Sequence, residues 1–95
     1  MSGIRFEWDK QKSVSNNTKH GVTFEEAQTV FVDESALLVH DPDHSDNEDR
    51  FILLGMSAKF RILVVCHCYR KDNEVIRIIS ARKATRSEQK RYGER

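Results

Sequence analysis

The sequence predicts an α+β fold, with an N-terminal strand and two helices packed on a small antiparallel sheet and a basic helix closing the chain. Three observations carry this reading. A period-two segment at the start runs straight into an aspartate suited to capping a helix. Three later segments rich in β-branched, aromatic and aliphatic residues are separated by short turn sequences. A Thr-x-x-Glu box then opens a cationic tail.

In chain order, Ile4-Arg5-Phe6-Glu7-Trp8 alternates apolar and polar side chains as a half-buried strand does, and Asp9 offers a helix N-cap. The helix expected over Lys10 to Lys19 has few apolar residues beyond Val14, so it is identified by Asp9 at one end and Gly21 at the other. Thr23-Phe24-Glu25-Glu26 reads as a capping box, with the Thr23 hydroxyl accepting from the Glu26 N–H and the Glu26 carboxylate reaching back to the Thr23 N–H. Phe24, Ala27, Val30 and Phe31 share one face of that second helix and are expected in the core. Leu37 to His40 is a short strand, and Asp41 to Asn47, with the only proline, is the main loop. Arg50 to Leu54, Phe60 to Tyr69 and Glu74 to Ala81 form an antiparallel meander, with Gly55 to Lys59 and Lys71 to Asn73 as its turns. Thr85-Arg86-Ser87-Glu88 is a second capping box, and its helix is basic through Arg86, Lys90 and Arg91.

Ninety-five residues fit one domain, 1–95, and 38% hydrophobic with 33% charged residues is globular composition on the polar side. No apolar run approaches the roughly 20 residues of a membrane span, and Glu7 and Asp9 do not suit a secretory leader, so a cytoplasmic protein is expected. Cys66 and Cys68 are too close in sequence for a stabilising disulfide loop and are expected as reduced thiols. The net charge of +1 hides a division. Asp33 to Arg50 holds seven carboxylates against one arginine, whereas Arg70 to Arg95 holds nine Lys or Arg against four carboxylates. Opposed patches suit a basic surface that meets phosphate, and they equally suit two solvated faces.

Several chemistries lack their residues. Asp41, Asp43, Asp46 and Glu48 with His40 and His44 lack the glycine and spacing of a calcium hand and read as an acidic turn. In Cys66-His67-Cys68 a strand turns His67 away from both thiols, which speaks against convergence on zinc and for packed cysteines. There is no nucleophile elbow and no glycine-rich phosphate loop. What remains is Lys19-His20 at a helix end, Arg70, Arg77 and Arg82 on or beside the late strands, and Tyr92 on the last helix. A guanidinium fork can hold phosphate oxygens, and histidine titrates near neutrality and can exchange a proton. The plainer alternative is that Arg77 and Arg82 pair with carboxylates such as Glu48 or Glu88.

The run Phe6-Glu7-Trp8-Asp9, Lys12, Asn16, Lys19-His20-Gly21-Val22, Phe24, Glu26-Ala27 and Phe31 resembles the opening of the BrnT toxin family. Glu48, Arg50, Gly55, Leu63-Val64-Val65, Arg70, Arg77-Ile78-Ile79-Ser80-Ala81-Arg82, Ala84, Glu88 and Tyr92 continue the resemblance over nearly the whole chain. The sequence departs from the family mainly at Cys66-His67-Cys68 and in its long acidic loop. The resemblance implies a RelE-like fold and an RNA-cutting toxin that uses no metal or other cofactor. It also implies a BrnA-type antitoxin with a ribbon-helix-helix part, which would form a hetero-oligomer with the toxin and contact operator DNA on behalf of both. In that setting phosphate stabilisation falls to Arg77 and Arg82 with Lys19 assisting. His20 and Tyr92 are the proton-transfer candidates, and Arg70, Lys83, Arg86, Lys90 and Arg91 are the RNA-positioning candidates. The rivals are a noncatalytic nucleic-acid or protein-binding module and, more remotely, a zinc-binding regulatory domain.

Overall fold

The computed structural model of the chain describes residues 4–41 and 49–94. The order is β1 (Arg5–Glu7), α1 (Lys10–His20), α2 (Phe24–Thr29), a 3₁₀ turn (Val30–Val32), β2 (Leu37–Asp41), β3 (Arg50–Met56), β4 (Ile62–Arg70), β5 (Val75–Lys83) and α3 (Arg86–Gly93). The strands form one sheet in the order β1-β5-β4-β3-β2. β2 through β5 are antiparallel as expected, but the sheet is mixed: β1 is an edge strand that runs parallel to β5, pairing Arg5 with Val75 and Glu7 with Arg77. The N-terminal strand therefore extends the sheet instead of packing on it.

The helix boundaries follow their caps. Asp9 accepts from the Gln11 and Lys12 N–H groups, and Gly21 ends α1 at φ 69°, a left-handed conformation that glycine adopts without steric cost. Thr85 and Glu88 form the reciprocal box at α3. At α2 only half of the expected box exists. Thr23 accepts from the Glu26 N–H, but the Glu26 carboxylate turns inward to Arg61 and to the Ser57 hydroxyl, because a charged partner inside the fold outcompetes a backbone N–H.

Two apolar clusters hold the sheet. On one face Phe24, Ala27 and Val30 pack on Leu53, Leu63, Val65, Ile78 and Ala81, with Phe6, Trp8 and Phe31 at the margin. On the other, Tyr92 and Ala84 pack on Leu54 and Val64. α1 lies along β5 beyond the end of β1. There the Asn16 carboxamide donates to Ala81 O (2.8 Å) and accepts from Ala81 N–H (3.1 Å), taking over hydrogen bonds that a neighbouring strand would make. β3 runs through Gly55, where the expected turn would have ended it. A Cβ at Gly55 would lie 2.8 Å from Ala36 Cβ and 2.9 Å from Val30 Cγ1, so Gly55→Ala is expected to cost about 1–3 kcal/mol in denaturant unfolding.

His67 is fully buried among Phe31, Phe51 and Tyr69. Its Nδ1 lies 3.2 Å from Val65 O, which can only accept, so Nδ1 carries the proton and Nε2 accepts from the Tyr69 hydroxyl at 3.3 Å. Burial, only partly offset by the Val65 bond, pulls the His67 pKa below 6.5. The fold thus favours the neutral ring. Its contribution is complete above the unfolded value and is lost as pH falls below it, at up to about 1.4 kcal/mol per pH unit. Comparing pH-dependent unfolding of wild type and His67→Phe is expected to show this acid slope only in the wild type.

Candidate functional site

The Asn16 anchor decides where the end of α1 lies. A second bond from Asn16 Nδ2 to Val22 O (2.9 Å) and one from Arg61 Nη2 to Gly21 O (3.0 Å) pin the turn that follows Lys19 and His20. On β5 the register shifts opposite Cys66 and His67, so that Ser80 pairs with Cys66 while Ile78 pairs with His67, leaving Ile79 as a bulge. The helix end and the bulged strand meet at a cavity of about 390 Å³ lined by His20, Asp41, Ile52, Val64, Cys66, Ser80, Ala81 and Arg82. A second cavity of about 280 Å³ shares His20 and Ser80 with it and is bordered by Lys12, Ser15, Asn16, Lys19 and Ile79. Lys19 and His20, far in sequence from Arg82, therefore border adjoining cavities with it that share His20 and Ser80.

Each of the two central arginines has a carboxylate beside it. Arg82 is gripped in bidentate fashion by Glu88, at 2.8 and 2.9 Å, and also donates to Lys83 O at 3.3 Å. The Arg82 hydrogen bond, helped by the Thr85 N–H and opposed by burial, holds the Glu88 carboxyl at about 2 and raises Arg82 in turn. A guanidinium has five N–H groups, so two on Arg82 lie outside these three bonds. Arg77 donates to Glu7 at 3.0 Å, and Arg70 approaches the same carboxylate at 3.7 Å. Arg77 is not among the residues lining the His20 cavity; it stands two rows along from the Cys66–Ser80 pair, on the line where Asp41, Arg50, Cys68, Arg77 and Glu7 are cross-strand neighbours. The plainer alternative for Arg82 thus has its Glu88 partner in place, while the partner of Arg77 is Glu7. Glu48 lies outside the described residues.

Tyr92 is placed differently. It is buried, and its hydroxyl donates at 2.7 Å to Asp33 Oδ2, which also accepts from the Met56 N–H at 2.8 Å. It is absent from the lining of the His20 cavity. Lys83, Arg86, Lys90 and Arg91 are exposed at the end of β5 and along α3, and Arg70 is exposed at the end of β4. Arg91 joins Arg82 and Glu88 around an apolar recess of about 170 Å³ floored by Leu37, Val39, Ile52, Leu54 and Val64.

Both cysteines are thiols, Cys68 buried and Cys66 partly so. Cys66 faces the cavity while His67 faces the aromatic cluster, the opposed arrangement expected of neighbouring strand residues. Among the described residues no three His, Cys, Asp or Glu side chains come together in a group able to hold a metal ion; Asp43, His44, Asp46 and Glu48 of the acidic loop lie outside them. Nor, among the described residues, is any helix long and apolar enough to cross a membrane. Sequence reasoning missed Glu7 as the carboxylate shared by Arg70 and Arg77, and it missed Asp41 and Ser80 as cavity residues. The alternation of β1 and β5 did place Glu7 and Arg77 on strands, but their pairing depends on a parallel contact with no local signal.

A family model for the ribonuclease toxin BrnT of type II toxin-antitoxin systems matches residues 8–88. The fold is similar to the crystal structure of the Brucella abortus ribonuclease toxin BrnT, with a TM-score of 0.65 and 25% sequence identity, over 87% of this chain and 99% of that one. No curated protein matches.

Proposed function

The chain belongs to the BrnT family of ribonuclease toxins of type II toxin-antitoxin systems, and from that premise we propose that it cuts RNA without a metal, through the groove between the end of α1 and β5. The observation that carries this reading is that His20 and Arg82 line the same cavity, with Lys19 at its continuation. In-line attack by a 2′-hydroxyl needs a proton removed from that oxygen, charge stabilised on the phosphate, and a proton delivered to the departing 5′-oxygen. His20 takes the proton from the 2′-oxygen, whose electron pair closes a five-membered ring on phosphorus. The bond to the 5′-oxygen breaks, and the imidazolium or water protonates it. The products are a 2′,3′-cyclic phosphate and a 5′-hydroxyl.

Arg82 supplies its remaining N–H groups to the phosphate oxygens while Glu88 fixes its plane. Lys19 adds charge, and Arg77 and Arg70 hold the strand of RNA further along the sheet, with Lys83, Arg86, Lys90 and Arg91 beside α3. Tyr92, committed to Asp33, holds α3 in place in this reading and moves no proton. The domain acts in the cytoplasm as a RelE-like toxin, masked by a BrnA-type antitoxin whose ribbon-helix-helix part contacts the operator for the hetero-oligomer. The test is expression of the chain with and without its genomic neighbour. Growth arrest relieved by the neighbour is expected, and normal growth with abundant folded protein would count against the toxin.

A further inference from the structure

The hairpin between β3 and β4 carries Phe60 in a setting that the fold itself does not reward. Its side chain is 85% exposed, and its backbone lies at φ 62°, in the left-handed region where a Cβ is disfavoured and glycine or asparagine is usual. A lone exposed aromatic is unremarkable. One that also occupies a strained backbone position gains no burial in exchange for that strain, which points to a contact outside the chain.

The turn is held rigidly. Phe60 N–H donates to Ser57 O at 2.9 Å, and Ala58 N–H donates to Thr29 Oγ1 at 2.8 Å. Ser57 Oγ donates to the buried Glu26 carboxylate at 2.7 Å, and the same carboxylate holds Arg61, which in turn donates to Gly21 O directly after His20. The backbone that carries Phe60 is therefore tied to the network that fixes the end of α1. Lys59 precedes it in sequence, Arg61 after it is engaged by Glu26, and the register places Lys83 opposite Leu63 at the start of the same hairpin arm. An exposed aromatic beside lysines is an arrangement on which unpaired bases stack while the neighbouring charges follow the phosphates.

We propose that Phe60 is an RNA-binding residue that stacks on one unpaired base of a single strand entering the groove beside His20. The assignment rests on the ribonuclease reading above, and it adds a base contact to a surface otherwise built from phosphate contacts. It makes binding depend on a base at that position without dictating which base, since every base offers an apolar face.

The test compares wild type with Phe60→Gly and Phe60→Tyr, using a single-stranded 2′-O-methyl RNA that cannot be cut and a polyphosphate of equal charge that has no bases. Phe60→Gly is expected to melt at or above the wild-type temperature, because glycine relieves the backbone, and to bind the RNA about tenfold or more weakly, from the value of one stacked base. Phe60→Tyr keeps the ring and is expected to retain RNA affinity, and polyphosphate is expected to bind all three proteins alike. Equal RNA affinity of wild type and Phe60→Gly would overturn the assignment while leaving the ribonuclease reading intact, also if Phe60→Gly instead lost affinity for a protein partner. A wild type that neither binds nor cuts RNA would overturn both.

Discussion

Arg61→Ala is expected to be the most destabilising single change among the polar residues, at about 3–5 kcal/mol, because it strands a buried carboxylate. The Glu26 side chain is 2% exposed and its main partner is Arg61, with only the Ser57 hydroxyl in addition. A loss of that size lowers the melting temperature of so small a domain by more than roughly 10 °C. The pH dependence gives a second check. The Arg61 hydrogen bond, and after it the Ser57 bond, hold Glu26 below 4.5 against the opposing effect of burial. In the wild type this stabilisation is present above 4.5 and fades as pH falls through the lower folded value. Without Arg61 burial dominates and the carboxyl is easily protonated, so the gap between variant and wild type is expected to narrow in acid. Unfolding curves at pH 7 and pH 4 measure it, and a gap that widens in acid would contradict the account.

Arg82→Ala is expected to reduce RNA cleavage by about 10²–10³-fold, the usual loss when one group stabilising a developing charge is removed. The Arg82 side chain is 42% exposed, so its ion pair with Glu88 is screened and its loss should cost the fold no more than about 1 kcal/mol. Glu88→Gln is the discriminating companion. It weakens the ion pair while keeping the guanidinium and one side-chain oxygen near it, and it is expected to lose less than about tenfold in rate. Were Arg82 only a structural partner of Glu88, the two variants would fall together in melting temperature and in rate.

Elements whose signals are local were legible in the sequence. Asp9 and Gly21 bound α1 although that helix has almost no apolar face, and Thr85 with Glu88 announces both α3 and the carboxylate that meets Arg82 six residues earlier. What stayed hidden depends on residues distant in the chain. Glu26 reads locally as half of a capping box, yet its partner is Arg61, 35 positions on. Glu7 meets Arg77 across 70 positions, through a parallel pairing that no turn sequence encodes. Asn16 looks like one polar residue in a polar helix. Its burial follows only once β1 is known to end at Glu7, opposite Arg77, and leave the edge of β5 beyond it to be satisfied by a side chain. The proximity of His20 to Arg82 depends on that same anchor, so the candidate residues were readable one by one while their grouping was not.

The end chemistry of the RNA fragments tests the central claim most directly. Purified protein is incubated with a defined RNA in the presence of chelator, and the ends are identified by mass. Cleavage with 2′,3′-cyclic or 3′-phosphate ends and free 5′-hydroxyls, abolished by a 2′-deoxy residue at the cut position, is the expected result. Fragments bearing 5′-phosphates, or activity lost to chelator and restored by magnesium, would contradict it.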